Sequence, residues 1–280
     1  MRICRWLVFA VLVLVFALPQ HAICEEKPLW EVGVGGILLV MPDYRGSDEY
    51  KIYPLPYPYF IYRGDIIRAD ERGLSGRIFK TDRIVLDFSV YGSVPVRSSN
   101  NTAREGMPDL DPTFELGPAL NIKILSDKQK KYDLSLFFPV RAVFSTNFAS
   151  VSREGWAFSP RINFEKGDII PQAGINLGIS AGPMFADSGY HAYYYTVEPA
   201  YATFNREAFS AGGGYSGSIF TVGLNKAYKD FVFNAFFSAD FLEGAVFQNS
   251  PLVKRQTSFM GGISISWIFL KSEKKVETGK

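Results

Sequence analysis

The sequence predicts an all-β fold: a transmembrane, antiparallel, up-and-down β-barrel of about ten strands. Three observations point to it. Long segments alternate apolar and polar side chains, aromatics mark many segment ends, and the connections alternate between short and long. Side chains in a strand point to opposite faces in turn, so each segment has one apolar and one polar face. A soluble β-sandwich also alternates, but its strands are typically about 5–6 residues. Crossing a bilayer at a tilt takes about 9–11.

In chain order, the first element is a leader, MRICRWLVFAVLVLVFALPQHAIC. Arg2 and Arg5 precede an unbroken apolar run from Trp6 to Leu18, which Pro19, Gln20 and His21 end. That layout is a secretory signal peptide. The run is shorter than the ~20 residues a spanning helix needs. Cleavage fits after Ala22 or after Cys24, so residues 1–24 are assigned to the leader, 25–270 to the barrel and 271–280 to a polar tail. A lipoprotein reading lacks the small residues it needs before Cys24.

Trp30 opens the first strand, 30–41. The clearest periodicity comes later. Phe231, Phe233, Ala235, Phe237, Ala239 and Phe241 oppose Asn234, Ser238 and Asp240; Phe259, Ile263, Ile265, Trp267 and Phe269 oppose Ser258, Gly262, Ser264 and Ser266. Two further segments, 132–146 and 156–165, alternate in the same way. Trp30, Tyr91, Tyr132, Trp156, Tyr228 and Trp267 sit where aromatic girdles meet membrane interfaces.

Connections at 80–83, 126–131, 166–168 and 228–230 are short; those at 42–52, 96–112, 147–155, 186–213 and 244–255 are long. Bacterial outer-membrane barrels place short turns in the periplasm and long loops outside. The last strand must descend to a periplasmic end. Counting back, 256–269 descends, 231–243 ascends, 215–227 descends, 169–184 ascends, 156–165 descends, 132–146 ascends, 113–125 descends and 84–95 ascends. The stretch 53–79 then reads as one descending arm, with 53–62 a proline-kinked extension above the membrane, its tyrosines suited to the interface. A full turn at Arg63-Gly64-Asp65 would leave the N-terminus outside. Twelve strands stay open if a long loop hides a further pair.

The inward positions carry both charge signs: Asp87, Glu115, Asn121, Lys123, Asp133, Arg141, Arg161, Asn163, Gln172, Asn176, Asn234 and Asp240. A lumen filled by its own ion pairs is the plain reading; a selective ion path is the sharper one.

Little here can carry catalysis. The mature chain keeps His191, with Ser188 near it, but no GxSxG elbow. One histidine and at most one cysteine cannot build a zinc site. Asp43, Ser47, Asp48 and Glu49 could hold calcium weakly, and Asp109 with Asp111 forms a second acidic pair, but solvated loops explain both. Gly212-Gly213-Gly214 lacks the Lys-Ser/Thr of a phosphate loop. No catalytic, cofactor-binding or metal residue is assigned. Of the two cysteines, Cys4 leaves with the leader, so no internal disulfide forms. Removing Arg2 and Arg5 equalises acids and bases, and nothing points to nucleic acid.

With the barrel in place, the loop motifs resemble the MipA/OmpV family of outer-membrane proteins. The matching residues run through nearly the whole mature chain: Trp30 with Gly33 and Gly35, Tyr44-Arg45-Gly46-Ser47-Asp48, Pro54-Leu55-Pro56, Tyr62-Arg63-Gly64-Asp65, Asp109-Leu110-Asp111-Pro112-Thr113 with Gly117-Pro118, Ala181-Gly182-Pro183 with Phe185-Ala186-Asp187, Ser250-Pro251-Leu252-Val253 and the strand Gly262 to Phe269. The chain departs from the family at Tyr193-Tyr194-Tyr195-Thr196-Val197, which lacks a glycine, and in carrying a tail beyond Phe269. The resemblance implies a non-enzymatic barrel among outer-membrane lipid, placed there by the outer-membrane assembly machinery. It implies a scaffold joining a murein lytic transglycosylase to a penicillin-binding protein. A narrow channel and a surface binder acting through loops 42–62 and 186–206 are the alternatives.

Overall fold

In the computed structural model, residues 27–64, 67–70, 73–127 and 129–276 are described; the leader, 1–24, lies outside them. Thirteen antiparallel segments form one sheet. They are β2 (Trp30–Pro42), β3 (Tyr50–Arg63), β4 (Ile67–Asp70), β5 (Gly73–Lys80), β6 (Ile84–Gly92), β7 (Thr113–Asp127), β8 (Tyr132–Thr146), β9 (Val151–Phe158), β10 (Arg161–Lys166), β11 (Ile175–Ala186), β12 (Gly214–Tyr228), β13 (Phe231–Phe241) and β14 (Thr257–Lys271). A separate pair, β1 (Lys27–Pro28) with β15 (Lys275–Val276), ties the two chain ends together.

The sheet closes through β8. Its first half pairs with β10 and its second half with β9, and both partners also pair with β11. β9 and β10 are therefore one stave, interrupted at Ser159-Pro160, where proline has no N–H to give a ladder. The closed barrel has twelve strands.

The step from ten to twelve lies where the prolines are. β3 is not an extension above the membrane: it pairs with β2 along its whole length, from Trp30↔Tyr62 to Pro42↔Tyr50. The chain turns after Arg63, β4 rises for four residues, and β5 descends again, so the stretch expected as one strand over 66–79 is a hairpin. Two turns rather than none restore the parity that a single turn would break. The added pair is in the wall, not in a long loop.

Faces follow the sequence period. Val34, Leu38, Ile263, Ile265 and Trp267 are exposed to lipid, while Ser258 and Ser266 are buried on the lumen side. Three expectations change. Tyr91 belongs to no girdle: it faces the lumen, with the Arg141 guanidinium 5.7 Å from its ring centroid. Tyr57 also faces inward, where its hydroxyl meets Ser266 Oγ at 2.6 Å. Gln172, expected on a strand, lies in the turn between β10 and β11 with φ of 67°.

Candidate functional site

The connections at the long-loop end fold into the barrel mouth rather than standing free. The segment 187–213, expected as loop, begins with a helix, α1 (Ser188–Tyr195). Its first turn is capped by Asp187, whose carboxylate accepts from the Tyr190 N–H at 3.0 Å. The helix lays its tyrosines into a buried cluster with Tyr44, Val96, Leu110, Leu242, Phe247 and Leu252, drawn from three other loops.

Hydrogen bonds cross-link those loops. The Tyr195 hydroxyl donates to the Arg45 carbonyl (3.0 Å), Ser250 Oγ to the Tyr195 carbonyl (2.7 Å) and Tyr44 Oη to the Leu252 carbonyl (2.8 Å). Asn101 donates to the Asp43 carboxylate at 2.8 Å, and Lys51 pairs with the same group at 2.6 Å. The Thr102 N–H donates to Glu49. The acidic stretch 43–49 thus has internal partners, and among the described residues no group of three His, Cys, Asp or Glu is placed to hold a metal. Asp109 likewise accepts from the Ser98 N–H at 2.7 Å.

His191 is fully buried beneath this plug. Its Nδ1 donates to the Gly212 carbonyl, and its Nε2 is hydrogen-bonded with Ser216 Oγ, each at 2.6 Å. Burial holds the group below the ordinary imidazole value, which favours the neutral ring, and in that form Nε2 accepts from Ser216 Oγ. Ser188, its neighbour in sequence, is not its partner. Ser216 is also fully buried, so no substrate reaches the pair. The glycine run supplies the carbonyl that orients the ring.

Below the plug the inward charges gather. Arg45 Nε pairs with Asp240 at 2.8 Å. Arg141 pairs with Glu115 at 3.4 Å and donates to Ser89 Oγ at 3.0 Å. Arg45 Nη2 and Arg161 Nε are buried nitrogens without a hydrogen-bond partner. Open space remains beside Tyr91, which, though inward, is 53 % exposed. A polar ladder, Asn176–Asn225–Asn234–Ser264, runs round the wall toward the periplasmic end, and Tyr59, Ile61, Val232 and Ile268 narrow that end. Lys123 and Asp133 form a more exposed pair at 3.4 Å.

A family model described as MltA-interacting protein MipA matches residues 34–269. The chain belongs to the MipA family. This MipA-family barrel is also similar to the outer membrane protein Omp26La of Vibrio anguillarum, with 25 % identity over 217 residues covering 75 % of this chain and 76 % of that protein. Among solved structures it resembles an outer membrane channel from Pseudomonas putida F1 (11 % identity, 89 % of this chain and 100 % of that chain, TM-score 0.44). It also resembles the NanC porin (9 %, 84 % and 98 %, TM-score 0.39). Family and relative place the protein in the outer membrane, in contact with its lipid.

Proposed function

We propose that this MipA-family protein is a non-enzymatic conduit for small solutes bearing a negative group. The interlocked loops shut its outer mouth. The observation that carries this reading is that Arg45 and Arg161, beneath the plug, each keep a guanidinium nitrogen without a hydrogen-bond partner, and that Arg161 and Arg141 lie near inward Tyr91, which is 53 % exposed. A buried donor without an acceptor is costly, and an anion relieves that cost. In planar bilayers under a salt gradient the reversal potential should report anion preference, and Arg161→Ala should reduce it. Neither conductance nor anion flux, even with the plug loosened, would overturn the reading.

A second reading is favoured by the family's description, which names an interaction with MltA. In it the barrel joins a lytic transglycosylase to a penicillin-binding protein, using the periplasmic end. That end carries the turn over 167–174 and the β1–β15 pair, both larger than the sequence suggested. Crosslinking in intact cells that recovers no murein enzyme would sink it. The surface-binder reading loses half its footing, since 50–62 is wall rather than loop.

A further inference from the structure

Each residue inside a barrel strand turns its N–H and C=O toward one neighbour, and the next residue turns them toward the other. For β3 the direction is fixed at both ends. Arg63 donates its N–H to the Leu29 carbonyl, and the Glu49 carbonyl accepts from the Asp43 N–H. Odd residues therefore serve the β2 side, and even residues from Ile52 to Phe60 serve the opposite edge. β4 reaches that edge only at Tyr62 and Arg63. Among the described residues, no ladder joins the edge above Tyr62 to another strand. Pro54, Pro56 and Pro58 all lie at even positions, so this edge presents carbonyls with few N–H donors. A further strand, from a partner or a second copy, could not zip onto it.

Described residues frame the gap. The β4–β5 hairpin bounds it below. On the far side β6 ends at Gly92, and its ladder with β5 stops at Ser75↔Ser89. Above, Asn101 bonded to Asp43 and Thr102 bonded to Glu49 join the loops after β6 and β2. Within the frame, inward Leu55 is 40 % exposed and inward Tyr91 is 53 % exposed. On the lipid side a groove of about 590 Å³, lined by Gly36, Leu38, Phe233 and Ile265, runs to Pro54 and Pro56. Bare carbonyls within hydrocarbon are tolerated only where they line a wet cavity, and the lumen behind the gap supplies one.

We infer that the wall between β3 and β6 is a lateral window through which lipid-soluble small molecules pass between the outer leaflet and the lumen. This rests on the conduit reading and sharpens it: the solute is amphipathic, its apolar body crossing at Leu55 and Tyr91 and its acidic group meeting the arginines. Prolines keep the edge unzipped, and the plug makes the side wall the entrance from outside.

The test uses the mature protein in liposomes with a neutral, lipid-soluble diazirine hydrocarbon, photolysed and mapped by mass spectrometry. Leu55 and Tyr91 should carry label at a level comparable to lipid-facing Phe60 and Ile263. Label confined to outward positions overturns the window. A second arm uses Leu55→Cys with Cys24→Ser, capped by a bulky maleimide, which should cut Tyr91 labelling severalfold. Undiminished Tyr91 labelling means entry elsewhere and also overturns it. Anion flux measured on the same liposomes separates the two claims. Flux lost with labelling kept removes the conduit alone; labelling lost with flux kept removes the window alone.

Discussion

The ring of Phe247 lies flat on that of Tyr195, centroids 3.7 Å apart and planes 4° from parallel. Both are fully buried, and they join the last residue of α1 to the loop between β13 and β14. Truncating a buried phenylalanine typically costs about 3–5 kcal/mol. Phe247→Ala should release the plug without touching a wall ladder. The expected outcome is faster protease cleavage within 187–213 and larger conductance steps, with the heat-modifiable barrel band on gels retained. Unchanged cleavage and conductance would show that the stack does not hold the mouth shut.

His191 makes plug stability depend on pH. Its folded value is lowered from about 6.5 by burial, with Arg45 adding in the same direction while the Gly212 carbonyl and Asp187 oppose. An open plug therefore binds a proton more readily than a closed one. Closure is fully stable above about 6.5 and weakens as pH falls from there toward the folded value. Conductance or loop proteolysis should rise over that acid range in the wild type. His191→Gln should flatten the dependence; an identical pH profile in the variant would remove His191 as its source.

Proline placement on β3 should obey the edge rule. Ile52→Pro puts the missing N–H on the unpaired edge and should leave assembly intact. Leu55→Pro removes a ladder bond to β2 and should lower the folded fraction. The folded fraction after refolding into detergent distinguishes them. Equal loss in both would mean that the even edge is bonded after all.

Two glycine-proline steps, Gly117-Pro118 and Gly182-Pro183, share one physical reason. A Cβ at Gly117 would run into the Val140 carbonyl, and one at Gly182 into the Pro160 carbonyl. Backbone cannot yield as a side-chain tip can, so Gly182→Ala should cost about 3 kcal/mol, the upper end for overpacking. Gly36→Ala, whose Cβ meets open space, should be neutral. Urea unfolding midpoints in detergent check the contrast; equal midpoints would refute the close approach.

Much of the barrel was legible residue by residue. The lipid faces of β13 and β14, the short turn at Lys229-Asp230 and the inward charges Glu115, Arg141 and Asp240 all follow from period-2 alternation. The β4–β5 hairpin was not, because β4, at four residues, is too short to show a period. The α1 helix was hidden for another reason. SGYHAYYY has no apolar stripe at helical spacing, and only the Asp187-Ser188 cap could have announced it. The His191–Ser216 pair, the Tyr195–Phe247 stack and the window frame join residues of different loops, which no local pattern connects.

By itself the sequence determined that this chain is an outer-membrane type barrel, which residues face lipid, and which end carries the long loops. Those properties are set by neighbours one or two residues apart, through the alternation of side chains and the chemistry of turns. Only the tertiary structure decided the count of twelve, the plugging of the mouth and the bare edge of β3. Register and closure depend on pairings between residues far apart in the chain. The same three prolines that sit quietly on an unpaired edge would each have cost a ladder bond had that edge been paired.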